Sequence, residues 1–270
     1  MKHILLTTDF SENAKHAIDY AIELWGKKDV HYTLINAYQE PGSIDTVVSL
    51  SEFIREESEK GLAREKESLQ EKYGAQLSMM SVSHYGDFVA VANMLNNEQP
   101  FDYAVVGSKG VSKLETFFLG SNTVNAVKHL DTTLLIVPQE AALKRPKHIA
   151  FAADYLHMSD LNHVQPMVQM ARALRADVSI VHVSEEERSD YKQALEGFGI
   201  HNALEGLKHS FHTEIAEETI EGIQNYLDRE PVDLLALVAR KRAFWDRLIH
   251  RSVTNKLAIL SKTPLLILRD

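Results

Sequence analysis

The stretch Asp102–Pro138, DYAVVGSKGVSKLETFFLGSNTVNAVKHLDTTLLIVP, governs how the rest of the chain is read. Its first apolar run, Tyr103 to Val106, stops at Gly107 and Gly110. Gly120-Ser121 then opens a segment with helical spacing that runs into a second apolar run, Leu134 to Val137. Short β-prone runs on either side of a 3.6-period segment read as strand, glycine loop, helix, strand. Glycines let backbone N–H groups approach a ligand closely, and a helix N-terminus favours an anion, so the loop is a candidate phosphate cradle. Its spacing, G-x2-G-x9-G-S, is neither the Walker loop nor the dinucleotide fingerprint. Ser121 has two readings: a phosphate donor, or the N-cap of a helix beginning near Thr123.

Upstream, Ile4 to Thr8 is an apolar, β-branched run ending at Asp9-Phe10-Ser11, a strand that meets a turn and a helix cap. Ala14, Ile18, Ala21, Ile22 and Trp25 mark one helical face, closed by Gly26. His31 to Ala37 reads as a strand, the charged segment Ser51 to Tyr73 as a solvated helix, Leu77 to His84 as a strand and Phe88 to Asn96 as a helix. Strands alternating with helices predict a doubly wound, mostly parallel α/β sheet.

The pattern then repeats. Lys2-His3-Ile4 through Asp9 recurs as Lys147-His148-Ile149 through Asp154, 145 positions on. Pro100, Asp102, Ser121, Thr123, Thr132 and Leu134-Leu135-Ile136 recur as Pro231, Asp233, Ser252, Thr254, Thr263 and Leu265-Leu266-Ile267, 131 positions on. The second copy is therefore 14 residues shorter in its middle. Two domains are expected, residues 1–140 and 147–270, each a five-stranded sheet flanked by helices, with the boundary in the polar stretch Gln139 to Pro146.

Composition narrows the function. With 29 Lys and Arg against 38 Asp and Glu, a net charge of −9, the chain repels nucleic acid and anionic lipid. There is no cysteine, which removes disulfides, thiol nucleophiles and Cys-ligated zinc. The short apolar run at the start reaches Asp9 too soon for a signal peptide, and no apolar run is long enough to span a bilayer, so a cytoplasmic protein is expected.

The opening ILLTTDFSENAKHAIDYA and the spacing G-x2-G-x9-G-S resemble the universal stress protein family, whose α/β domains often occur in tandem and have the adenine-nucleotide alpha-hydrolase-like fold. The resemblance implies ATP, alone or with Mg2+, as the ligand of the first half. It implies that Asp9 sits by the base, that Thr7 and Thr8 line the same pocket, and that Ala37 lies at the end of the second strand. Many members have a His-Val pair there; this chain has Asn36-Ala37. It further implies that Val106, Gly107, Lys109, Gly110, Gly120, Ser121 and Asn122 hold phosphates and ribose. Two such domains pair through their last strands in the family, which implies a pseudo-dimer through 134–138 and 265–268, and leaves a further homodimer open. Open-sheet geometry points the same way, because ligands lie beyond the carboxyl ends of strands where strand order switches.

In the second half Gly107, Gly110 and Gly120 become Val238, Lys241 and Arg251, so side chains stand where phosphates would lie. Asp154 and His182-Val183 keep the base-side pattern, yet no ATP is expected there. Arg240, Lys241, Arg242, Arg247 and Arg251 form a basic cluster that either binds another anion or folds onto acidic neighbours. His209 and His212 fall on a predicted strand, where residues three apart face opposite ways, which disfavours a metal site. No catalytic residue is assigned. The leading function is a nucleotide-dependent stress-response regulator or scaffold; a slow ATPase and a nucleotide-independent interaction module are the alternatives.

Overall fold

A computed structural model describes residues 1–39, 47–108, 120–153, 161–184, 199–239 and 262–269. Among them the chain divides into two compact units, the first ending at Gln139 and the second starting at Glu140.

In the first unit, β1 (Lys2–Thr7), β2 (Val30–Tyr38), β3 (Met79–Tyr85), β4 (Tyr103–Gly107) and β5 (Leu134–Val137) form a sheet of order β3-β2-β1-β4-β5. Every pairing within it is parallel. The central strands are apolar almost throughout because helices cover both sheet faces: Ile4, Leu6, Leu34, Ala104 and Leu134 are fully buried. Truncating one such leucine costs about 2–5 kcal/mol. Strand β3, at the border, is more exposed and carries Ser81, Ser83 and His84, as an edge strand does to discourage stray pairing.

The helices are α1 (Glu12–Trp25), α2 (Val47–Tyr73), α3 (Phe88–Glu98) and α4 (Ser121–His129). Helix α1 starts where the Ser11 side chain accepts the Ala14 N–H and stops at Gly26, whose φ of 78° suits a residue without Cβ. Trp25 ends that helix against the ring of Tyr103, 5.0 Å between centroids, as a packing residue. Helix α2 begins at Val47, four residues before the sequence-based start.

The second unit repeats the topology. Strands β6 (His148–Ala152), β7 (Asp177–Ser184), β8 (His209–Ile215), β9 (Leu234–Ala239) and β10 (Leu265–Arg269) run in the order β10-β9-β6-β7-β8, again with parallel pairings. Helices α5 (Gln165–Leu174) and α6 (Thr219–Arg229) belong to it. Matching hydrogen bonds recur: Asp102 Oδ2 accepts the His3 N–H at 2.7 Å, and Asp233 Oδ2 accepts those of Lys147 and His148 at 2.8 and 3.1 Å. Each aspartate ties the start of the unit's first strand to the chain just before its fourth.

Candidate functional site

In the first unit, chain order moves outward from β1 to β2 to β3, then returns across β1 to β4 and β5. The β1/β4 border is thus the switch point at which an open α/β sheet leaves a crevice. Leu6 pairs with Val105 and Thr7 with Ile35. The register therefore brings Thr7, Thr8 and Asp9 together with Asn36, Ala37, Val106 and Gly107 along one edge.

Thr7 spans the border itself, its hydroxyl donating to Val105 O at 3.2 Å. Thr8 is buried and its polar atoms are all committed. Its N–H donates to Ile35 O at 2.9 Å, its carbonyl accepts Asn36 Nδ2 at 2.7 Å, and its hydroxyl accepts the Phe10 N–H and donates to Glu65 Oε2, both at 2.9 Å. Thr8 is thus a corner that fixes the turn. Phe10 takes a left-handed φ of 63°. Its ring lies against Gly61 of α2, where a Cβ would come within 2.6 Å of it, so glycine is what allows that approach.

The turn presents Asp9, half-buried, with Oδ1 accepting the Ser11 N–H at 3.1 Å. Because the Ser11 side chain caps α1, the capping role does not fall to Asp9. Asn36 is buried and chained to α2 and β3: Ser58 Oγ donates to its Oδ1 at 2.7 Å and lies 2.7 Å from Ser83 Oγ. Ala37 follows, half-exposed.

Val106 is buried and Gly107 marks the end of β4. A Cβ at Gly107 would meet Asn13 Oδ1 at 2.8 Å and Asn13 O at 3.1 Å, so the need for glycine comes from the close approach of α1. Asn13 also donates to Val137 O at 3.3 Å and lies 3.5 Å from Ser108 Oγ. A buried asparagine on an otherwise apolar helix face was the signal that could have found it.

The Ser108 carbonyl accepts the Gly120 N–H at 2.9 Å, which ties together the two ends of the glycine loop. Thr123 Oγ1 donates to Gly107 O at 2.9 Å and seats the first turn of α4 against the end of β4. Gly120 is the N-cap of α4 and no side chain caps the helix; Ser121 and Asn122 are its exposed first residues. This corrects the reading of Ser121 as N-cap of a helix starting near Thr123. An uncapped helix start offers N–H donors and a favourable field to an anion. Lys109 and Gly110 lie outside the described residues.

In the second unit the edge is built differently. His182 occupies the place of Asn36, and its Nδ1–H donates to Ala153 O at 3.2 Å as Asn36 donates to Thr8 O. Val238 faces Leu268 as Gly107 faces Val137. Asp154, Arg240, Lys241, Arg242, Arg247 and Arg251 lie outside the described residues. His209 and His212 are on strand β8 and do not converge: His209 Nε2 lies 2.8 Å from His201 Nδ1, and His212 Nε2 lies 2.8 Å from Ser210 Oγ. Among the described residues no group of three or more His, Asp or Glu could hold a metal ion, and no helix is long and apolar enough to cross a membrane.

Comparison with known proteins follows the same lines. A universal stress protein from Archaeoglobus fulgidus is 17% identical, with 99% of this chain and 98% of that one covered and a TM-score of 0.71. A protein of unknown function from Pseudomonas aeruginosa is 13% identical, with 100% and 92% covered and a TM-score of 0.59. These likenesses establish the α/β fold. No curated protein matches the chain. The description of the universal stress protein family matches residues 1–138, the whole of the first unit's described sheet and helices, and the chain therefore belongs to the universal stress protein family.

Proposed function

We propose that the first unit binds an adenine nucleotide, ATP alone or with Mg2+, across the β1/β4 switch point, and that occupancy makes the chain a nucleotide-dependent regulator or scaffold in a stress response. The observation that carries the reading is the convergence of the Asp9 turn, the end of β4 and the uncapped start of α4 on one sheet edge, in a member of this family. In this reading Asp9 accepts from the exocyclic amine of the base or from a ribose hydroxyl. Thr7, Ala37 and Val106 wall the pocket beside it. Ser121, Asn122 and the amides of the first turn of α4 donate to phosphate oxygens, with Gly107, Gly110 and Gly120 leaving room and Lys109 adding a charge.

The second unit, residues 147–270, is read as a second domain of the same family that holds no nucleotide, because Val238, Lys241 and Arg251 replace the three glycines. Pairing through the apolar runs 134–138 and 265–268, within one chain or between two, goes with this reading and rests on their sequence.

Titration of nucleotide-free protein with Mg-ATP in a calorimeter tests the proposal, beside a Gly110→Val, Gly120→Arg double variant. One site per chain, lost in the variant, is expected. Two sites, or one that survives the variant, would overturn the assignment of the loop. Absence of binding at millimolar nucleotide would leave the interaction module, and sustained phosphate release lost in the same variant would establish an ATPase.

A further inference from the structure

One buried ionisable group in the first unit has no role in the nucleotide scheme. Glu65, on the inner face of α2, is only 8% exposed, yet it is a carboxylic acid. Its Oε2 accepts from Thr8, and its Oε1 has no hydrogen-bond partner. A buried carboxylate with an idle oxygen is costly, and a neutral acid in the same place costs much less. Among the described residues, the Thr8 hydroxyl and then Lys15 on α1 favour its ionised form, while Asp9 in the turn and Asp19 on α1 oppose it.

Glu65 is joined to the proposed site by two hydrogen bonds in series: Glu65 holds the Thr8 hydroxyl, and that hydroxyl holds the Phe10 N–H, the residue after Asp9. The second unit has the same parallel strand order with Ala153 where the first has Thr8, and alanine has no hydroxyl to donate. A sheet of this order therefore forms without a hydroxyl at this corner.

From this geometry we infer that Glu65 is the proton-linked residue of the nucleotide site: binding of a phosphate-bearing nucleotide at Asp9 and α4 drives a proton onto the Glu65 carboxyl. The inference rests on the nucleotide reading of the first unit. A seated base removes water from above the Asp9 turn, and the phosphates add negative charge nearby. Both changes disfavour the ionised acid further, and they add to burial, the main cause that already holds its pKa above the ordinary value. The step is an acid–base one: a proton leaves the buffer and bonds to a Glu65 oxygen. By linkage, nucleotide affinity then rises as pH falls, by at most about tenfold per pH unit while one proton is taken up.

The test is calorimetric titration of the full chain with Mg-ATP at several pH values between about 5 and 8, each in two buffers of different ionisation enthalpy. Wild-type protein is expected to take up protons on binding. Glu65→Gln imitates the neutral acid, so its binding is expected to draw no proton through this residue and to show, at the alkaline end, the affinity that wild type reaches only at the acidic end. Binding by wild type with no proton uptake, or with uptake that persists unchanged in Glu65→Gln, would overturn this inference and leave the nucleotide reading standing. Absence of nucleotide binding by wild type at every pH would overturn both.

Discussion

Where the first unit has Thr8, Asn36 and Gly107, the second has Ala153, His182 and Val238, and the contrast separates what the sheet requires from what is local to one copy. Asn36 and His182 are chemically different side chains, yet each donates from a δ nitrogen to the carbonyl of the residue that follows the first strand. The sheet edge needs a donor at that point, and either side chain supplies it. A hydroxyl at Thr8 and a bare Cα at Gly107 are different. The second unit completes the same strands without either, so what they provide belongs to the first unit alone.

The strongest way to break this contrast is to give the first unit the residue of the second. Gly107→Val places a branched side chain against Asn13, including its backbone carbonyl, and overpacking of this kind costs about 1–3 kcal/mol. The thermal midpoint of the variant is expected to fall and Mg-ATP binding to be lost. A variant with unchanged midpoint and unchanged binding would show that Asn13 yields easily and that the glycine is incidental.

Next comes the shared donor. Asn36→Ala strands Thr8 O, leaves Ser58 Oγ with Ser83 as its remaining partner, and is expected to cost about 1–3 kcal/mol in denaturant unfolding. Asn36→His, which copies the other unit, is expected to recover much of that loss. If histidine does no better than alanine, the two donors are not equivalent.

The aspartates that tie the strand starts allow a comparison by pH. In Asp233 burial alone would raise the carboxyl pKa, but the Lys144 ammonium and the N–H groups of Lys147 and His148 outweigh it and hold it below the ordinary value. A lowered folded pKa means stability that is complete above the unfolded carboxylate range and disappears as pH falls through the folded value. Asp233→Asn is thus expected to destabilise the second unit at neutral pH by about 1 kcal/mol, a deficit that closes as pH falls below the ordinary carboxylate range. A deficit independent of pH would assign the role to shape rather than charge.

The smallest effect on stability belongs to Ser121. Since Gly120 caps α4 and no side chain closes the cap, Ser121→Ala is expected to leave unfolding unchanged within about 0.5 kcal/mol while weakening Mg-ATP binding. A loss near 1 kcal/mol would restore the capping role to serine.

The elements of the first unit were legible in the sequence to within a few residues, because apolar runs, a capping serine and terminal glycines are local signals. The paired landmarks Asp102 and Asp233 were legible too, and they make matching hydrogen bonds. What escaped was contact between distant parts of the chain. Asn13 was passed over within a helical face and touches Gly107 and Val137. Glu65 was one acid in a charged helix, and only folding brings it to Thr8. Asn36 was read as a departure from a family pattern, whereas it makes the hydrogen bond that His182 makes in the second unit. Propensity and periodicity carry no information on such pairs, which lie 28 to 124 residues apart.

Helix α6 comes so close to β7 that a Cβ on Gly222 would fall 2.5 Å from Val183. At the corresponding places the first unit has Val91 and Ala37, with bulk moved from strand to helix, as the matching amide bonds of Val91 to Asp87 and Gly222 to Glu218 show. The two halves are therefore no longer interchangeable parts. A recombination event that carried one helix into the other half would set valine on valine in one direction and leave a hole in the other. Once such reciprocal changes accumulate in a duplicated gene, each copy can drift in its surface chemistry without being overwritten by its twin.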